Sequence, residues 1–236
     1  MGGHGTWQIG ALFPGRFAAI APSAGWCSFG SYAQPRTQDA TSPLGDLMQR
    51  SAALSDTMNF SRNYLQQGVY ILHGDADDNV PVSEARNMKE RLQEFHRNLD
   101  WHEQPGAGHW WDASEEPGAD CVDWLPIFQF FARQRIPDCD ELLSLEFTTA
   151  NPGVSSGLHW LEILTQERAL LPSSVSIRCE PGRNVFSGST RNITGLCLSL
   201  NDLPVQSPVR IELDGDTLAD VSFSSGEPHL YLQKSE

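Results

Sequence analysis

Gly68-Val69-Tyr70-Ile71-Leu72-His73-Gly74-Asp75-Ala76-Asp77-Asp78-Asn79-Val80-Pro81 is the stretch on which the fold turns. Its opening is a short continuous apolar run bounded by glycines, the pattern of a parallel strand buried on both faces. The polar residues that follow are turn chemistry, and Pro81 suits the first turn of a helix. Beyond it Ala85, Met88, Leu92 and Phe95 recur at spacings of three and four, one apolar face of an amphipathic helix. Leu99 to Gln104 reads as a second strand, and Gly106-Ala107-Gly108-His109 follows it. Strands alternating with helices imply a parallel sheet covered by helices.

The same alternation extends outward. Trp7 to Phe13 is a helical apolar stretch ended by Pro14-Gly15, and Phe17 to Ala21 is a short buried-strand run. Residues Cys27 to Thr57 lack a clear period and form an excursion with room for one short helix. Asp120 to Arg135 is expected as one helix carrying Trp124, Leu125, Phe128 and Phe131. After Pro137 the texture changes to short alternating segments: Glu146–Thr149, Leu158–Ile163, Ser174–Arg178, Gly195–Leu200, Val209–Leu213 and His229–Leu232. Turn signals such as Asn151-Pro152-Gly153, Pro181-Gly182 and Asp214-Gly215 separate them. The expected fold class is therefore α/β over residues 1–137, followed by a β-sandwich-like module over residues 138–236.

Composition narrows the function. The 236 residues hold 30 acidic and 16 basic side chains, a formal charge of −14 spread over both parts. A nucleic-acid binder needs a basic face to displace counterions, so no nucleic-acid partner is expected. No run of about 18 apolar residues is present, so no membrane span is expected, and no signal-peptide pattern opens the chain. The five cysteines have no CxxC spacing, which argues against a zinc or redox motif. A bridge from Cys121 to Cys139 or Cys27 and a set of free thiols both fit the sequence. Two sequons, Asn59-Phe60-Ser61 and Asn192-Ile193-Thr194, do not fix a compartment, and localisation stays unassigned.

The candidate chemistry sits in the opening stretch. An acid at the carboxyl end of a parallel strand lies at the edge of a ligand crevice. His109, flanked by glycine after the next strand, is placed to meet it. Strand, Asp, helix, strand, His is the closing half of the order Ser…Asp…His used by α/β-hydrolases. There the histidine takes the serine proton while the acid fixes its tautomer and stabilises the imidazolium. Asp77 and His109 are thus the candidate catalytic residues. Trp110 and Trp111 beside them are candidate walls of a substrate cleft. A calcium loop through Asp75, Asp77 and Asn79 fails, because Val80 and Arg86 stand where glycine and glutamate are required. Asp75 and Asp78 read as turn and cap residues. His73 reads as a structural hydrogen bonder, and His4, His96, His102, His159 and His229 as structural.

Met1-Gly2-Gly3-His4-Gly5-Thr6-Trp7, with Phe13-Pro14-Gly15-Arg16-Phe17 and Ala18-Ala19-Ile20-Ala21-Pro22, resembles the stretch after the nucleophile in prolyl-oligopeptidase-type serine hydrolases. Those enzymes carry G-x-S-x-G-G, a helix, then P-x-[RK]-F and a strand. The HGDADDNVP and GAGH segments are similar to the same family, so the resemblance covers about residues 1 to 135. It implies that Asp77 and His109 are the family's acid and histidine, and that its serine maps to the position before Met1. Met1 would supply an oxyanion-hole N–H, with Gly2 as the last glycine of the elbow. The implied reaction is acyl transfer from a peptide or ester substrate to water, without metal or organic cofactor. The 236 residues would then be the C-terminal part of such a hydrolase, inactive alone for want of the serine.

The β-rich module is similar to the tail of some large bacterial members, and its ligand is unassigned. Leu230 to Glu236 reads as an interrupted strand. The rival reading is a non-catalytic chain whose β-module binds a glycan, peptide or protein partner. The hydrolase reading makes two geometric demands. Asp77 should lie roughly 2.6–3.2 Å from the His109 ring, and Met1 should open a helix that faces the imidazole.

Overall fold

The computed structural model describes residues 1–32, 42–224 and 226–234. Part of the Cys27 to Thr57 excursion, and the last two residues of the expected final segment, lie outside that description. The chain divides into two compact units, Met1–Ile136 and Pro137–Glu236.

The first unit runs α1 (Gly2–Leu12), β1 (Ala19–Ile20), α2 (Phe29–Tyr32), α3 (Pro43–Ala52), β2 (Gly68–Gly74), α4 (Ser83–Gln93), β3 (Leu99–Gln104), α5 (Asp120–Asp123) and α6 (Leu125–Phe131). The strands form a parallel sheet in the order β1-β2-β3. Central β2 is buried at every position, which accounts for its unbroken apolar run. Tyr70 and Leu72 pack against Ile127 and Phe130 of α6. On α4, Ala85, Met88 and Leu92 are buried as their spacing requires. Phe95 lies past the helix end, with the Arg62 guanidinium 4.2 Å above its ring.

Helix α1 ends before Pro14, and its terminal carbonyls need partners. The 3₁₀ stretch Thr57–Gln66 and Gln67 after it supply two: Asn63 Nδ2 donates to Ala11 O and Gln67 Nε2 to Gly10 O, while Tyr64 Oη donates to Trp7 O a turn earlier, each at 2.7 Å.

Three expectations need correction here. The Phe17–Ala21 run pairs as a strand only over Ala19–Ile20. Among its described residues the excursion holds two α-helices, α2 and α3, the latter capped by Ser42, whose Oγ accepts from Gly45 N at 3.0 Å. The single helix from Asp120 to Arg135 is broken at Trp124, whose backbone leaves the helical region at φ −48° and ψ 113°. Pro126 explains the break: it has no N–H for the Val122 carbonyl, and its ring would collide with that carbonyl. The restart turns Ile127 and Phe130 inward and leaves Leu125 and Phe128 exposed.

The second unit contains nine strands among the described residues: β4 (Ser144–Thr149), β5 (Gly157–Leu158), β6 (Leu161–Gln166), β7 (Ser173–Glu180), β8 (Val185–Arg191), β9 (Ile193–Ser199), β10 (Val209–Leu213), β11 (Asp216–Val221) and β12 (His229–Gln233). They form two sheets, β11-β10-β8-β7-β4 and β12-β9-β6-β5. Phe147, Ile177, Phe186 and Ile211 of the first join Leu161, Ile163, Leu198 and Leu230 of the second in one apolar core. Trp160 anchors it through Nε1, which donates to Leu142 O at 2.7 Å.

The expected strand Leu158–Ile163 is in fact two strands turning through His159, whose φ is 54°. Strands β8 and β11 were not anticipated. β8 mixes small polar residues with glycine, and β11 is an exposed edge strand with no apolar face to signal it. All five cysteines stand as free thiols in the structure.

Gly188 lies on β8 between β7 and β10, where a Cβ would come within 2.1 Å of Ser176 O. Gly188→Ala is therefore expected to destabilise the second unit by about 1–3 kcal/mol in urea unfolding. Exposed Ser189→Ala should change it by less than about 0.5 kcal/mol.

Candidate active site

The loops that leave β2 and β3 are built together. Asp75 N donates to Gln104 O at 3.0 Å and Ala76 N to Ala107 O at 2.9 Å. In return Gly106 N donates to Asp75 Oδ1 at 2.5 Å. Gly74 lets this happen: a Cβ there would lie 2.3 Å from Ala107 O and 2.5 Å from Gly108 O. Gly106 supplies the left-handed turn at φ 69°. The backbone thus carries Asp77 and His109 to one place.

Asp77 has a fully buried side chain, while that of His109 is 21% exposed. Asp77 Oδ1 accepts from Asn79 N and Val80 N, both at 2.8 Å. Oδ2 lies 2.9 Å from His109 Nδ1. A carboxylate accepts only, so Nδ1 bears a proton, which in the neutral imidazole leaves Nε2 bare. Burial raises the Asp77 pKa, but the hydrogen bonds from Val80, His109 and Asn79 outweigh it and hold the carboxyl below its ordinary range.

The remaining candidates are distributed as follows. Met1 immediately precedes α1, with its carbonyl accepting from Gly5 N at 3.0 Å. Gly3, more than Gly2, is the glycine under pressure at this turn. A Cβ on Gly3 would meet Ser23 O at 2.1 Å, whereas one on Gly2 meets nothing within 4 Å. The loop beneath Gly3 is tied to the end of β2, since Leu72 N donates to Pro22 O at 3.1 Å and Ala24 N to Leu72 O at 2.9 Å. The start of α1 is therefore seated at the carboxyl end of the central strand.

Trp110 is 72% exposed, its ring centroid 6.2 Å from that of His109. Trp111 instead packs on Trp124 and His102. His73 makes the structural hydrogen bond that the sequence suggested, to Val80 O at 2.9 Å. The sequence reading missed that the same nitrogen lies 3.2 Å from Asp77 Oδ2. It also missed Gly74, whose signal is its place between a buried strand and an acid-bearing turn.

A parallel α/β sheet with a buried acid bonded to a histidine beyond the ends of adjacent strands is an arrangement of the α/β-hydrolase kind. The family model of the prolyl oligopeptidase family matches residues 2–134, more than half of the chain, and the chain belongs to that family of serine hydrolases. An uncharacterized secreted protein of Arthroderma benhamiae is 30% identical over 223 residues, covering 91% of this chain and 23% of that protein. The chain thus spans about a quarter of the length of this relative.

Among solved structures, a Bacteroides ovatus protein assigned provisionally as a dipeptidyl aminopeptidase IV is 17% identical, with a TM-score of 0.42. That match covers 56% of this chain and 18% of the other. A PHB depolymerase from Penicillium funiculosum is 13% identical over 77% of this chain and 60% of its own, with a TM-score of 0.34.

Because the folded Asp77 carboxyl sits below its unfolded value of about 3.9, its ionisation stabilises the fold. That contribution is fully present above the unfolded value and is lost as pH falls through the folded one. In urea unfolding, Asp77→Asn should be less stable than wild type above about pH 5. The margin should narrow below about pH 4; a margin unchanged in acid would contradict the ionised, clamped carboxylate.

Proposed function

We propose that residues 1–137 form the acid–histidine half of a prolyl-oligopeptidase-type serine hydrolase that cleaves a peptide or ester bond. One observation carries this reading. A fully buried Asp77, clamped by its own loop, is bonded to the Nδ1 side of a partly exposed histidine past the adjacent strand. Membership of the prolyl oligopeptidase family supports it. In this proposal the nucleophile is a serine at the family position just before Met1, in a longer protein.

The steps follow from the pair. His109 Nε2 takes the serine proton as the hydroxyl oxygen attacks the substrate carbonyl, and the Met1 N–H faces the developing oxyanion. His109 then returns the proton to the leaving amine or alcohol, giving an acyl-serine. Water releases the acyl group by the same route in reverse roles. Asp77 stays ionised throughout, holding the imidazole tautomer and balancing the imidazolium.

Exposed Trp110 is proposed to wall the cleft, and the packing of Trp111 suits a supporting role. Residues 138–236 are proposed as a β-sandwich module, a reading supported by two sheets sharing one core.

The test uses the chain extended upstream through the family's G-x-S, assayed with p-nitrophenyl esters and peptide substrates. The extended chain should turn over, and the 236 residues alone should not. Asp77→Asn and His109→Ala should each lower kcat by roughly 10⁴-fold, as removal of a triad member does. Retained activity in either variant would remove the pair from the mechanism.

A further inference from the structure

His73, the penultimate residue of β2, is 1% exposed, and one nitrogen of its ring lies beside two oxygens. Its Nε2 lies 2.9 Å from Val80 O and 3.2 Å from Asp77 Oδ2. Neither a carbonyl nor a carboxylate oxygen can donate, so Nε2 carries the hydrogen. Nδ1, equally buried, has no hydrogen-bond partner among the described residues. A ring that only closed its own loop would need the Val80 contact alone. This one also reaches the oxygen that His109 uses.

We propose that His73 is a positioning residue for the Asp77–His109 pair. By bonding Val80 O it holds the residue whose own N–H clamps Oδ1, and its Nε2–H, 3.2 Å from Oδ2, sets the positive end of a dipole beside the oxygen that His109 uses. The proposal rests on the hydrolase reading of the pair. Two amides already hold Oδ1. With His73 removed, the carboxylate keeps its two amides and His109, but Oδ2 loses the N–H dipole beside it.

The proton affinity of the coupled pair should then rise. Other charges face this corner. Glu103 stands opposite His73 on β3 and pairs with Arg86 of α4. Lys89 acts on Glu103, Asp75 acts on Arg86, and Asp78 lies in the loop. A change at His73 leaves all of these in place.

The experiment compares kcat/KM against pH for the extended, active chain and its His73→Phe and His73→Gln variants. His73→Phe should move the acid limb upward by roughly half a pH unit or more, with KM within about twofold of wild type. His73→Gln, whose amide N–H reaches the same place, should keep the wild-type limb. An unmoved or lowered limb in His73→Phe, or an equal shift in both variants, overturns the role of His73.

Asp77→Asn in the same series separates the two readings. If it abolishes activity while the His73→Phe limb is unmoved, only the His73 proposal falls. If it is fully active, the pair itself is not catalytic and both fall. A measurement that needs no variant is the ¹⁵N signature of His73 in the wild-type protein. Protonation at Nε2 is expected; a proton on Nδ1 alone would overturn the proposal.

Discussion

A carboxylate with no exposed side-chain surface must be satisfied by hydrogen bonds, because an unpaired buried charge costs several kcal/mol. That constraint organises the first unit. The demand of Asp77 is met by two amides of its own loop and by the imidazole of His109 from the loop after β3, with His73 Nε2 at the end of β2 3.2 Å away. The loop that carries His109, like the start of α1, is set by a backbone contact that leaves no room for a side chain. The loop after β3 lies directly against Gly74, and the start of α1 lies directly against the Ser23–Gly25 turn. The parallel sheet supplies the frame: consecutive parallel strands point their carboxyl ends the same way, so residues far apart in sequence meet above one edge.

This economy explains why the acid and the histidine have different exposures. In the proposed mechanism the acid only orients and balances charge, so burial strengthens its effect in a low-dielectric setting. A histidine that exchanges protons with substrate must be reached from outside, and His109 remains partly open. The second unit shares none of this. Its two sheets enclose a separate apolar core, and its polar side chains cap turns, as where Asp214 accepts from Thr190 N and Thr190 Oγ1 at 2.7 and 2.6 Å.

Much of the first unit was legible in the sequence because its signals are local and strong. A doubly buried strand must be continuously apolar, so β2 was readable and the acid stands at a fixed offset from it, whereas β3 is a mostly polar edge strand without that signal. The break at Trp124 was missed because the apolar spacing on either side is helical, and only the missing N–H of Pro126 forbids continuity. Strands β8 and β11 were missed for opposite reasons. β8 is held by pairing on both sides and needs no apolar alternation, and β11 is too exposed to show one. The reach of His73 to Asp77 was invisible because it depends on how the loop from Asp75 to Val80 curls back over the strand that it leaves. No periodicity encodes that curl.

The central claim is that Asp77 and His109 serve a serine placed immediately before Met1. It is tested most directly by reacting the chain extended upstream with a fluorophosphonate and locating the adduct by peptide mass spectrometry. The account predicts a single phosphonylated serine in the peptide that joins the upstream G-x-S to Met1-Gly2-Gly3, with labelling lost in His109→Ala. An adduct on any serine within residues 1–236, or labelling undiminished in His109→Ala, would contradict it.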